Sequence, residues 1–129
     1  MKRPFILNFK NYAEVSSAAK TVELAMVAQD VASRLGVEVV VAPPQPSLAL
    51  VCRSVNNNSM PVISQHVDDA QEGATTGFFV PEVARSCGAS GSLINHSEHR
   101  IDTVSIENLV GRLRNLGMIS IVCARTPGD

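Results

Sequence analysis

Residues 37–44 read VEVVVAPP, and this run decides the fold. From Val37 to Ala42 the chain is an almost continuous series of β-branched or small apolar residues, interrupted only by Glu38, which is the pattern of a strand covered on both faces. Pro43 and Pro44 then stop it. A strand of this kind belongs to a parallel sheet clothed by helices, and the preceding sequence supplies one. Leu24, Ala28, Val31 and Leu35 recur at i, i+4, i+7 and i+11, predicting a helix from about Val15 to Leu35 with these residues on one apolar face. Gly36 stands where a helix-ending glycine belongs.

Outward from this unit the alternation repeats. Pro4 to Leu7 (PFIL) reads as a first strand, Ser47 to Val55 as a short helix after Pro46, and Asn56 to Ser59 (NNNS) as a turn. Pro61 to Gln65 (PVISQ) reads as a third strand, followed by a polar loop from His66 to Gly77. Pro81 to Cys87 is a brief helix with proline at its start and Gly88 after its end. Gly91 to Ile94 is a fourth strand, Ser105 to Leu116 a helix with Ile106, Leu109, Val110 and Leu113 on one face, and Ile119 to Cys123 a fifth strand. Strand and helix alternate four times before a last strand, which predicts an α/β fold of right-handed βαβ units on a parallel sheet. No linker or repeat divides the 129 residues, so one domain spanning 1–129 is expected.

Composition narrows the function. The chain is 45% hydrophobic and 18% charged with a formal net charge of -1, and its basic residues are scattered, so it presents no footprint for nucleic acid. No apolar run is long enough for a membrane span or a secretory signal, which points to a cytoplasmic protein. Cys52, Cys87 and Cys123 are odd in number and widely spaced, as expected of reduced thiols packed in a core. His96 and His99 lack a third ligand of matching type, and the same holds for His66 with Asp68 and Asp69, so no metal is expected. The GASG run at Gly88 to Gly91 precedes a strand, the wrong order for a phosphate-cradling loop.

The polar residues cluster after strands one, three and four: Asn8 to Lys10, Gln65 to Asp68, and Asn95 to Glu98. In parallel α/β folds the carboxyl ends of the strands share one rim, where ligands gather. There Lys10 offers a cation and Asn8 an amide to an anionic small molecule. His96 can donate or accept a proton, and Glu98 can pair with a lysine arriving from another strand.

Read together, LNFKNY (7–12), SQHVDD (64–69), GATTG (73–77), LINHSEHR (93–100) and SIVCA (120–124) resemble the first half of the archaeal type of triosephosphate isomerase, a likeness that covers residues 5–124. The resemblance implies units of a (β/α)8 barrel, here a partial barrel of about five strands, and interconversion of dihydroxyacetone phosphate and glyceraldehyde 3-phosphate through an enediolate, without cofactor or metal. It implies that Lys10 holds the anionic substrate with Asn8 beside it, that Glu98 pairs with Lys10, and that Thr76 reaches across a dimer contact. The family is itself a standard example of catalysis by a neutral histidine, and that role falls by resemblance on His96, at the amino end of a short helix begun by Ser97.

Two positions depart from the family pattern, Arg125 where an acidic residue is expected and His99 where another basic residue is common. The larger departure is length. A barrel of this kind needs about 250 residues, and the family's catalytic base and lid loop follow its sixth strand. Asp68, Asp69 and Glu72 lie in the contact loop and Glu98 is committed to Lys10, so the catalytic base is absent from these residues and the chain alone is expected to be inactive. Open edges at strands one and five and an uncovered interior face imply a partner, either a second copy in a homo-oligomer or the missing half, and a partial sequence of an isomerase is the simplest explanation. Two other readings compete: a non-catalytic half-barrel that binds or interacts without reacting, and a flavodoxin-like domain, whose cofactor loop NFKNY does not resemble.

Overall fold

The computed structural model describes residues 3–129. Helix α1 (Ala18–Leu35) begins where the Ser17 side chain accepts from the Lys20 amide and ends at Gly36, whose φ of 64° only glycine adopts at little cost. The following Val37 amide bonds back to Ala32, so strand β2 starts two residues later than its composition suggests, at Val39–Ala42. Strand β1 is Phe5–Asn8, α2 is Leu48–Ser54 and α3 is Pro81–Ser86. Strand β3 is Gly91–Ile94, α4 is Thr103–Asn115, capped by the Asp102 carboxylate on the Ser105 amide, and β4 is Ile119–Val122.

All strand pairing is parallel. β1 pairs with β2 from Phe5↔Val39 to Asn8↔Ala42, and β3 with β4 from Gly91↔Ile119 to Ile94↔Val122. Gly91 is obligatory in this register, since a Cβ there would collide with the Ile119 carbonyl oxygen. Between the two ladders runs the segment expected as a third strand. It pairs on both sides, Val41↔Val62 and Ser64↔Ser92, but as isolated bridges and not as a regular strand.

The side chain of Asn57 explains the interruption. Carried back from the Ser64↔Ser92 bridge, a regular parallel ladder would set Val62 opposite Ser90 and carry its amide to the Ala89 carbonyl. Instead Asn57 Oδ1 accepts from the Val62 amide at 2.8 Å while Asn57 Nδ2 donates to the Gly88 oxygen at 2.7 Å, so one carboxamide bridges the two segments where the ladder is broken. The Val62 oxygen accepts from the Ser90 amide and not from Gly91, so the register slips by one residue between this bond and the Ser64↔Ser92 bridge. The five extended segments therefore lie side by side in chain order, without the reversal that defines a flavodoxin-like sheet.

The alternation of β2 divides the core. Val39 and Val41 join the larger cluster with Ala25, Ala28 and Ala32 of α1 and Leu109 and Leu113 of α4. Val40 and Ala42 join Ile63, Leu93 and Ile121 on the opposite face of the sheet. The buried face of α1 is Thr21, Ala25, Ala28 and Ala32, which corrects the face expected from sequence: of those residues only Ala28 is buried, while Leu24, Val31 and Leu35 are exposed. Small side chains let the helix approach the sheet closely, and the larger apolar residues fall to the side. The cysteines also differ from expectation, since all three are free but only half-buried. Burial raises the Cys52 thiol to about 11.

Among the described residues β1 pairs only with β2 and β4 only with β3, so the sheet does not close. Phe5 is 62% exposed at one edge and Val122 45% at the other.

Replacing Asn57 by alanine strands the part-buried Val62 N–H, while the exposed Gly88 carbonyl is left to water. The Asn57→Ala variant should lose about 1–3 kcal/mol of stability in urea unfolding at unchanged m-value. A loss below about 0.5 kcal/mol would show that water replaces the carboxamide freely.

Candidate active site

The chain leaves β1 through a sharp bend. Asn8 Oδ1 accepts from the Lys10 amide at 3.0 Å, and Lys10 takes a φ of 51°, a left-handed conformation unfavourable to a residue that carries a Cβ and held when neighbours enforce it. Gln65 is one enforcer, donating from Nε2 to the Lys10 carbonyl at 3.0 Å and to the Ala42 carbonyl at 3.1 Å. It thereby ties the ends of β1 and β2 to the central segment. Among the described residues Asn8 Nδ2 has no hydrogen-bond partner, which leaves it for a ligand.

From this bend Lys10 Nζ donates to Glu98 Oε1 at 3.0 Å and lies 5.9 Å from the centre of the Tyr12 ring. The hydrogen bond to Glu98, and then its charge, hold the Lys10 ammonium above the usual lysine value. The pair is solvent-exposed, so it orients the ammonium more than it stabilises the fold.

The partner residue comes from the turn after β3. Asn95 has a φ of 61° and locks the turn with both ends of its carboxamide, donating to the Cys123 carbonyl at 3.0 Å and accepting from the Ile101 amide at 3.1 Å. Arg100 adds bonds to the carbonyls of Asn95 and Cys123. Residues 96–99 form a single turn closed by the His99 amide on the His96 oxygen at 2.8 Å. This corrects the short helix expected from Ser97. Asn95 fixes the segment behind it and the Asp102 cap of α4 ahead, and the bond that closes it is i→i+3.

Within this turn the Glu98 backbone amide lies 3.1 Å from His96 Nδ1. An amide can only donate, so Nδ1 is the acceptor and the ring proton sits on Nε2, the nitrogen left for a ligand. The Glu98 carboxylate is 3.6 Å from the same Nδ1, too far for a hydrogen bond, and is spent on Lys10. Glu98 thus holds His96 with its backbone and Lys10 with its side chain.

These groups line an open cavity of about 780 Å³ with Asn8, Gln65, His66 and His99. His66 is buried, its Nε2 3.1 Å from Asp68 Oδ1, and its ring stacks on His99 with centroids 3.7 Å apart. Burial first, and then the charge of His99, lower its value from the ordinary histidine range, against the opposing pull of Asp68. Asp68 Oδ2 also accepts from the Phe79 amide at 2.7 Å, and Asp69 accepts from Asn108 at 3.0 Å. Glu72 is exposed on the same loop.

Thr76 is exposed at the far end of this loop and is not brought to the cavity. The loop is braced at its base by Arg112, which pairs with Glu82 at 2.7 Å and donates to the Ala70 carbonyl. Among the described residues no three His, Cys, Asp or Glu side chains are grouped to hold a metal, and no helix is long and apolar enough to cross a membrane. Sequence reasoning placed Lys10, His96, Glu98 and Asn8 at one rim, where they stand. It gave no role to Gln65, Asn95 or Arg100. The signal was a carboxamide at or just past the end of β1, the central segment and β3, where backbone groups run out of ladder partners.

Comparison with known proteins fits this arrangement. A family model described as triosephosphate isomerase matches residues 4–128. A triosephosphate isomerase of Cenarchaeum symbiosum is 43% identical over 124 residues, covering 96% of this chain and 54% of its own. One from Methanothermobacter thermautotrophicus is 43% identical over 118 residues, covering 92% of this chain and 50% of its own. The chain therefore spans about half the length of the curated relatives it matches. Among solved structures, the triosephosphate isomerase of Bartonella henselae superposes with a TM-score of 0.77 at 20% identity, covering 96% of this chain and 52% of that one. At that identity the likeness speaks for the fold: the five segments follow part of a (β/α)8 barrel.

Because folding lowers the His66 value, the unfolded chain binds that proton more readily. The stability it reflects is present above ~6.5 and falls as pH drops from there toward the folded value. Asp68 favours the protonated ring, so Asp68→Asn should move the His66 midpoint further down in a proton NMR titration. A wild-type midpoint at or above ~6.5 would contradict the arrangement.

Proposed function

The chain belongs to the triosephosphate isomerase family, and from that premise we propose that these 129 residues form the electrophilic half of an isomerase site acting on triose phosphates. The reaction is interconversion of dihydroxyacetone phosphate and glyceraldehyde 3-phosphate. The observation that carries the reading is the double engagement of Glu98, whose amide meets His96 Nδ1 at 3.1 Å while its carboxylate meets Lys10 Nζ at 3.0 Å.

An enediolate concentrates negative charge on two neighbouring oxygens, and donors fixed in advance lower its energy more than mobile ones in water. Lys10 supplies the cation, His96 Nε2–H and the Asn8 amide supply directional donors, and Glu98 sets the spacing between cation and imidazole. None of these groups removes a proton from carbon. The nearby carboxylates that could are occupied: Glu98 by Lys10, Asp68 by His66 and the Phe79 amide, Asp69 by Asn108. Glu72 lies on the loop away from the cavity lining. We therefore read the base and the lid as features outside these residues, and turnover by this stretch alone is not expected.

Thr76, exposed on a loop braced by Arg112, fits a contact with a second copy, and the open edge of β1 fits a homo-oligomer. No nucleic acid, membrane, metal or cofactor enters the proposal, and the reaction suits a cytoplasmic protein. The alternative of a non-catalytic half-barrel, a binding or interaction module that keeps the anion site but not the reaction, rests on no separate observation.

The test is dihydroxyacetone phosphate titrated into the purified 129-residue chain, followed by NMR and by a sensitive isomerase assay. The expected outcome is shifts at Lys10 and His96 without turnover, and a 10- to 100-fold loss of affinity in Lys10→Ala, roughly the weight of a charged hydrogen bond. Turnover that disappears in Lys10→Ala would overturn the reading of half a site. Binding that ignores the substitution would overturn the role of Lys10.

A further inference from the structure

The working turn after β3 is held at its two ends by Asn95 and by the cap of α4, but its apex, residues 97–99, is exposed. Among the described residues, His99 is the one side chain of that apex besides Glu98 that leans on another part of the fold. His99 lays its imidazole on that of His66, with centroids 3.7 Å apart and planes 15° from parallel. His66 is itself immobilised: it is buried, bonded through Nε2 to Asp68, and its carbonyl accepts from Ser64 and Gln45. His99 therefore rests on a fixed platform.

We infer that His99 is a positioning residue, whose stack on His66 holds the turn so that the Glu98 amide stays on His96 Nδ1 and the Glu98 carboxylate stays on Lys10. The His99 amide closes the turn onto the His96 oxygen, so any swing of residue 99 carries the Glu98 N–H away from the ring it meets. A lysine could not replace this contact, because an ammonium on a flexible stem has no flat face to lay on the imidazole, whereas a planar ring keeps it. The brace also carries a condition. Asp68 faces His66 from its own loop, His99 faces it from the turn, and Lys10, His96 and Glu98 line the same cavity. Two protonated rings at this separation repel, so the stack requires that at least one of the pair be neutral.

The inference deepens the proposed function and rests on the reading of His96 as the polarising group. Its test, however, reads the His96 ring itself and not turnover or ligand affinity, so that its failure and the failure of that reading are distinguishable. The 129-residue chain carrying ¹⁵N-labelled histidine is compared near neutral pH as wild type, His99→Ala and His99→Phe, by long-range proton–nitrogen correlation of the rings and by exchange of the Glu98 amide. In wild type the His96 proton is on Nε2. In His99→Ala the two His96 nitrogens should move toward the averaged shifts of mixed tautomers, and the Glu98 amide should exchange about three- to tenfold faster. His99→Phe should restore both, since a phenyl ring keeps the stack. It should also raise the His66 midpoint, since it removes the neighbouring charge. The inference is overturned if His99→Ala leaves the His96 shifts and the Glu98 amide unchanged. It is equally overturned if His99→Phe fails to restore them, or if the His66 midpoint does not move. His99 is on the surface, so loss of the fold is not expected, and the amide spectrum of each variant checks it.

Discussion

Parallel pairing in chain order is the constraint from which the rest follows. Each strand enters the sheet from the same side and leaves it on the same rim, so the residues just past β1, the central segment and β3 must meet, however far apart they lie in sequence. Lys10 and Glu98 are separated by 88 positions; parallel pairing puts both on that rim, and the bend after β1 and the turn after β3 bring them to 3.0 Å. The helices contribute by staying close. The Ala25, Ala28 and Ala32 face of α1 packs with Val39 and Val41 without pushing the sheet apart.

Where the parallel ladder runs out, side-chain carboxamides take over. Asn57 links Val62 to Gly88, Gln65 spans the carbonyls of Lys10 and Ala42, Asn8 holds the Lys10 amide, and Asn95 bridges Cys123 and Ile101. A carboxamide carries both a donor and an acceptor at fixed spacing, which is what a broken ladder requires. These contacts hold two non-glycine residues, Lys10 and Asn95, in left-handed backbone at the base of the site. The exposed ion pair between Lys10 and Glu98 then needs to supply little energy, only direction.

Much of this was legible in the sequence, for reasons that differ by element. The VEVVVA run announced a buried strand because a strand covered on both faces tolerates no polar alternation, and it was found at Val39–Ala42. The Gly36 cap was legible because few other residues accept its backbone angle. The buried face of α1 was misread because apolar periodicity favours large side chains, whereas proximity to the sheet selects small ones; Leu24 and Leu35 lost to Ala25 and Ala32. The third strand was legible as an extended segment but not its broken ladder, since nothing in NNNS says that Asn57 will reach back into the sheet. At the rim, residue types foretold Lys10, His96 and Glu98. The stack of His99 on His66 depends on which way a turn folds, and spacing does not encode that.

The account turns on Glu98 joining two strand ends by holding Lys10 in the cavity. The most direct measurement is a carbon NMR titration of Lys10 Cε in wild type and in Glu98→Gln. The account predicts a Lys10 midpoint above the ordinary lysine value in wild type, falling back toward it when the carboxylate becomes an amide. A wild-type midpoint at the ordinary value, unchanged by the substitution, would contradict it and would leave Lys10 and His96 as neighbours without a shared support.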